Sequence, residues 1–129
     1  MNCRLIFRIL LAAFFVVAGA NHFRAPAVYL GMMPTWLPSP LTLIYISGAA
    51  EMLGGIGICV PFVRKFSGRG LLALLVAVFP ANLHVALQGH MPGFDFTPLI
   101  LWLRLPFQLV AIGCVWWATL APARNETLD

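Results

Sequence analysis

The chain has 129 residues, 61% of them hydrophobic and only 9% charged, with a formal net charge of +4. Soluble domains carry about 25% charged residues, so composition excludes a water-soluble enzyme or binding module. No stretch interleaves aromatic and basic side chains as a nucleic-acid surface would, so the basic excess does not signal a polyanionic partner.

Four apolar stretches fill most of the length, at roughly 5–23, 41–62, 70–87 and 96–118. Each is close to the ~20 residues that span a hydrocarbon core as a helix. With no water at that depth, backbone polar groups must be satisfied within the segment, which leaves helices. The sequence predicts an all-α integral membrane four-helix bundle, a single transmembrane domain over 1–129.

The first stretch has two readings. Arg4 and Arg8, an apolar run and "AGA" at 18–20 have the form of a signal peptide with its cleavage site. Asn21, His22 and Phe23 then continue as a polar cluster of the kind found again near Asn82, which favours an uncleaved first helix. Basic residues set the orientation. Arg4 and Arg8 precede the first span, Arg64, Lys65 and Arg69 lie between the second and third, and Arg124 follows the fourth, against Arg24 alone on the other side. Both termini are therefore expected in the cytoplasm, in contact with a lipid bilayer and not with nucleic acid.

The first outer loop, "RAPAVYLGMMPTWLPSP", contains Pro34, Pro38 and Pro40, which forbid a continuous helix. Tyr29 and Trp36 suit the headgroup level. It is either a cap lying over the mouth of the bundle or an ordinary apolar loop. The second outer loop, "QGHMPGFDFTP", carries His90 and Asp95. A short internal echo links the halves: "AN" then "GMMP" then Pro40, and "AN" then "GHMP" then Pro98. Both halves leave the cytoplasm and return, so the echo implies a parallel repeat about an axis along the membrane normal, with Asn21 and Asn82 equivalent.

Within the second span, "ISGAAEMLGG" holds one carboxylate, Glu51, about 15 Å below the outer end. Arg104 lies about 12 Å down the fourth span. An isolated charge at such depth costs ~2.5–3.5 kcal/mol, so the two are expected to pair. Gln108 is one turn from Arg104 on the same face, while His22, Asn21, Asn82 and His84 fall in the same outer half. Ser47, Gly48, Gly54 and Gly55 let another helix approach Glu51 closely, and Pro80 and Pro106 free backbone carbonyls at depth. His22, Glu51, Asn82, Arg104 and Gln108 form the candidate ligand-binding cluster, with Asn21, Ser47, His84 and Trp36 as a second tier. The competing reading is a registry device that fixes helix partners and nothing more.

Other chemistry finds little footing. No two of the histidines at 22, 84 and 90 share i, i+4 spacing, so no metal site is predicted. Cys3, Cys59 and Cys114 form no C-x-x-C, and Cys59 and Cys114 read as small buried hydrophobes. No P-loop, dinucleotide or haem motif is present; no catalytic residue is assigned.

"FFVVAGANHF", "YISGAAEMLGGIG", "VAVFPANLHVAL" and "LWLRLPFQ", one motif per span, together resemble the DoxX family of small four-helix bacterial membrane proteins. Glu51, Asn82, His22, Arg104 and Gln108 fall on the motif positions. The resemblance implies a bacterial inner-membrane bundle. The family takes its name from a subunit of a thiosulfate:quinone oxidoreductase, and other relatives belong to oxidative-stress complexes or act as membrane chaperones. Two functions follow as expectations. One is a membrane subunit of a quinone-linked redox system, with the quinone as its cofactor and electrons supplied by a membrane or periplasmic protein partner. The other is a non-enzymatic assembly factor, chaperone or small-solute carrier.

Overall fold

The computed structural model describes residues 2–90 and 97–122. They form five helices: α1 (Cys3–Arg24), α2 (Pro26–Met32), α3 (Pro40–Cys59), α4 (Arg64–Gln88) and α5 (Pro98–Thr119). All but α2 are long and apolar enough to cross a membrane. The fold is therefore all-α, with four candidate spans and one short helix that was not expected from the sequence.

Prolines punctuate these helices. Pro26, Pro40 and Pro98 each open a helix at its first turn, where the missing N–H is no loss. Pro26 also bars Ala25 from the helical region, and Ala25 sits at φ −136°, ψ 61°, ending α1. Pro34 acts likewise on Met33, which is extended at φ −82°, ψ 138° and ends α2. At the far end of α4 the chain stops on Gly89 at φ 75°, a left-handed cap that few side chains tolerate.

Two expected boundaries move. The second span ends at Cys59, not at 62, and the third begins at Arg64, not at 70. Arg64, Lys65 and Arg69 thus belong to the first turns of α4 and not to a loop. The cause is a tight turn over 60–63, in which the Val63 amide bonds the Val60 carbonyl and the Ser67 amide bonds that of Val63. Cys59 is exposed and Cys114 partly so; neither is the buried small hydrophobe expected, and both are free thiols with Cys3.

The four long helices make an antiparallel ring in chain order. α1 packs most closely on α3, α3 and α5 both flank α4, and α1 meets α5 more loosely. Two apolar clusters stack along the axis. The lower one joins Phe15, Ile58, Leu71 and Val115; the upper joins Met32, Val85, Ala86 and Leu101, with Val28, Tyr29 and Leu105 against it. Met32 and Tyr29 bring α2 into the upper cluster, so α2, between the first two spans, caps the bundle.

At the opposite end, arginines satisfy helix C-termini. The last four carbonyls of a helix lack intrahelical partners. Arg8 Nε donates to Ala118 O at 2.7 Å, Arg64 Nε to Ile58 O at 2.8 Å, and the Arg4 guanidinium to Ala121 O and Pro122 O at 3.3 Å each. Arg4 also lies over the Trp117 ring, and Phe7 meets that ring edge-on at 5.3 Å. Arg4 and Arg8 therefore clamp α1 to α5.

Replacing Arg8 by Met keeps the apolar stem and removes the donor to Ala118 O. A hydrogen bond to a charged group contributes about 1.5–3 kcal/mol, so thermal unfolding in detergent should show a loss of that size. An unchanged midpoint would mean that the clamp contributes nothing.

Candidate functional site

Between the two apolar clusters lies a cavity of about 410 Å³ to which all five helices contribute. That volume is within the ~300–1,000 Å³ of small-molecule sites. The expected cluster residues His22, Glu51, Asn82, Arg104 and Gln108 all line it, and so does Ser47. Asn21 stands behind the wall, donating from Nδ2 to Tyr29 Oη at 2.9 Å. His84 and Trp36 do not line it, and Trp36 is 74% exposed. His84 is two residues beyond Asn82 and so points to a different face of α4. Asp95 lies outside the described residues, as do Met91 and Pro92 of the second echo motif.

The pairing differs from expectation. Glu51 meets His22, not Arg104: Oε2 is 2.9 Å from Nε2, with the two side chains only 15% and 12% exposed. Nδ1 of the same imidazole lies 3.0 Å from Ile44 O. A carbonyl only accepts, so Nδ1 carries its hydrogen there. Nε2 and Oε2 then share exchange of one further proton, held either as imidazolium and carboxylate or as imidazole and carboxylic acid. Without it Oε2, shielded from solvent, would have no donor. The contact needs Gly48. A Cβ at that position would come 2.7 Å from His22 Cβ, and one at Gly19 would meet Met52 Cγ at 2.7 Å, so only bare backbones let α1 approach α3 this closely. Gly54, by contrast, faces Leu71 of α4.

Across the cavity runs a directional chain. Arg104 Nη2 donates to Asn82 Oδ1 at 3.0 Å, and Asn82 Nδ2 donates to Gln108 Oε1 at 2.7 Å. Gln108 Nε2 in turn donates to Leu75 O. Arginine has no acceptor, so it fixes the orientation of both amides in turn. The chain ends on the backbone of α4, five residues before Pro80. Gln108, 4% exposed, is thereby committed to holding Asn82 and Arg104 in place.

Tyr29 was read from sequence only as a headgroup aromatic, yet it lines the cavity. Its ring sits 4.1 Å from that of His22, and its oxygen accepts from Asn21, leaving the phenol hydrogen for the cavity. The signal available was Pro26, which starts a new helix and returns Tyr29 toward the end of α1. Phe14, Phe15, Met32 and Phe107 complete the apolar lining. Among the described residues no three His, Cys, Asp or Glu side chains gather to hold a metal ion.

Comparison with known families places this architecture. The chain belongs to the family described as Domain of unknown function (DUF8561). The match covers residues 11–119, from the third turn of α1 to the end of α5, and so includes every side chain of the cavity. No curated protein and no solved structure matches the chain.

Removing the two partners of the His22–Glu51 contact should have unequal effects. In Glu51→Gln the amide donates to Nε2 directly, and stability in detergent should hold within about 1 kcal/mol. His22→Leu strands a buried carboxyl group and should cost about 3–5 kcal/mol, most of it recovered in the double variant His22→Leu/Glu51→Leu. Equal losses in the two single variants would remove the shared-proton arrangement.

Proposed function

We propose that this DUF8561 chain is a DoxX-like protein of the bacterial inner membrane, serving as the membrane subunit of a quinone-linked redox system with both termini in the cytoplasm. The observation that carries the reading is the cavity itself. It is mainly apolar, lies at membrane depth, and offers hydrogen-bonding groups on opposite walls: His22 and Glu51 on one, Arg104 and Asn82 on the other, with Tyr29 in the roof. A flat ring bearing a polar oxygen at each end fits such a lining, with orientation fixed by a few polar groups and area supplied by Phe15, Met32 and Phe107. A registry pair alone would need no cavity.

A bound quinone supplies a carrier of two electrons and two protons. The chain would supply recognition and a proton. Arg104 and the Tyr29 hydroxyl are the donors for carbonyl oxygens, and the proton shared by His22 and Glu51 lies in the cavity wall. Gln108, expected from sequence to bond the ligand, has the supporting role of holding Asn82. Electrons come from a membrane or periplasmic protein partner, because nothing in the sequence carries a redox-cofactor motif.

The test is gentle extraction from the native membrane followed by lipid and quinone analysis and native mass spectrometry. A stoichiometric quinone in the wild type, lost in Asn82→Leu and in Glu51→Leu, is the expected result. A co-purifying protein with no small molecule would replace this reading by an assembly role for the same polar groups.

The orientation has its own check. Trp36→Cys, in a background lacking Cys3, Cys59 and Cys114, should react with a membrane-impermeant maleimide added to intact spheroplasts. Labelling only after the membrane is opened would invert the topology.

A further inference from the structure

The cavity is bounded on most sides by contacts already described. The upper cluster roofs it, and the lower cluster, centred on Phe15 and Val115, floors it. The α1–α3 wall is closed by the glycine contact and by His22 on Ile44 and Glu51; the α4–α5 wall is closed by Asn82 between Arg104 and Gln108. The remaining wall of interest is the α1–α5 seam. Every hydrogen bond and ring contact described between these two helices lies at the clamp, among Arg4, Phe7 and Arg8 on one side and 117–122 on the other.

Of the residues lining the cavity, two are exposed: Phe14 at 49% and Phe107 at 61%. They belong to α1 and α5, the two sides of this seam. The antiparallel order of the clamp brings the turn of α1 that holds Phe14 and Ala18 alongside the turn of α5 that holds Phe107 and Ala111, and all four side chains line the cavity. Each side of the seam thus offers one large ring and one methyl group to the cavity. Among the described residues no hydrogen bond joins these positions, so a ring that swings aside gives up dispersion contacts and, for Phe14, its edge-on contact with Phe15 at 5.3 Å.

We infer that the α1–α5 seam is a lateral door through which a molecule dissolved in the bilayer enters the cavity, with Phe14 and Phe107 as its two leaves. The ligand class is a neutral amphiphile: a ring that passes between the phenylalanines and an apolar tail that stays in the seam, in contact with lipid. The inference deepens the quinone reading and rests on it for the ligand, but the door can be tested alone.

The probe is a neutral phenyl(trifluoromethyl)diazirine, dissolved in liposomes containing the full-length protein, photolysed and mapped by peptide mass spectrometry. The expected result is carbene adducts on Ser47, Val78 and Ala81 inside the cavity. They should fall at least five-fold in Ala18→Phe/Ala111→Phe and rise in Phe14→Ala/Phe107→Ala. Adducts on the lipid-facing Leu53 and Val76 should stay constant in all samples, which reports that each variant is inserted and folded. Inner adducts that are missing from the wild type, or that ignore the seam variants, would overturn the door. So would equal inner labelling by a charged, water-soluble diazirine, since the cavity would then open to water. Quinone co-purification without inner labelling removes the door and leaves the redox reading standing; inner labelling without quinone does the reverse.

Discussion

A carboxyl group inside a membrane bundle has to be met by a donor, and here that donor is a histidine on a neighbouring helix. The contact between Glu51 and His22 governs the geometry around it. To bring Nε2 within 2.9 Å of Oε2, α1 must lie almost backbone-to-backbone on α3, which Gly19 and Gly48 permit. To present Nε2 at all, the ring must be turned by a partner at Nδ1, which the Ile44 carbonyl supplies. α1 stays close to α3 further along as well, where Gly55 faces Phe15 and Ala12. Among the described residues the hydrogen bonds between α1 and α5 lie at the clamp, away from the polar site, and this is the loosest seam of the ring.

The other half of the site follows from a second constraint, the single donor-only character of arginine. Arg104 fixes Asn82, Asn82 fixes Gln108, and Gln108 is anchored on the Leu75 carbonyl. The buried amides are thereby satisfied in series, and a buried polar network that is fully paired rigidifies its surroundings. Two walls of different character result. The α1–α3 wall carries a labile proton, while the α4–α5 wall is a fixed row of dipoles.

Much of this was legible in the sequence. The four spans follow from apolar length, and the helix starts at Pro40 and Pro98 from proline's place in a first turn. The cluster His22, Glu51, Asn82, Arg104 and Gln108 was found because polar groups are scarce in such a chain. The pairing was not legible, for a definite reason. Depth counted from the end of each span treats all ends as level. α1 stops early, where Pro26 turns the chain into α2, whereas α3 runs on above it, so Glu51 well inside α3 stands opposite His22 in the last turn of α1. Arg104 has a comparable depth but sits on a helix that does not flank α3 in the ring. Periodicity gives the height of a residue and its face; it does not give the lateral order of helices. Tyr29 escaped for a related reason, because a seven-residue helix broken by prolines on both sides carries too short a pattern to show which face it buries.

The roof and the proton site are mechanically one unit. Tyr29 is packed into the upper cluster with Met32, lies tilted against the His22 ring, and is held by Asn21 from the last turn of α1. Any displacement of α2 therefore moves the ring that lies against the His22 imidazole, while Ile44 O and Glu51 continue to hold the imidazole itself. A cap that opened to admit a ligand from water would have to break the Asn21–Tyr29 hydrogen bond and the contact of the Tyr29 and His22 rings. Passage between Phe14 and Phe107 disturbs no polar contact described between α1 and α5. The contacts of Tyr29 thus favour keeping the roof closed and making the apolar seam the part that moves.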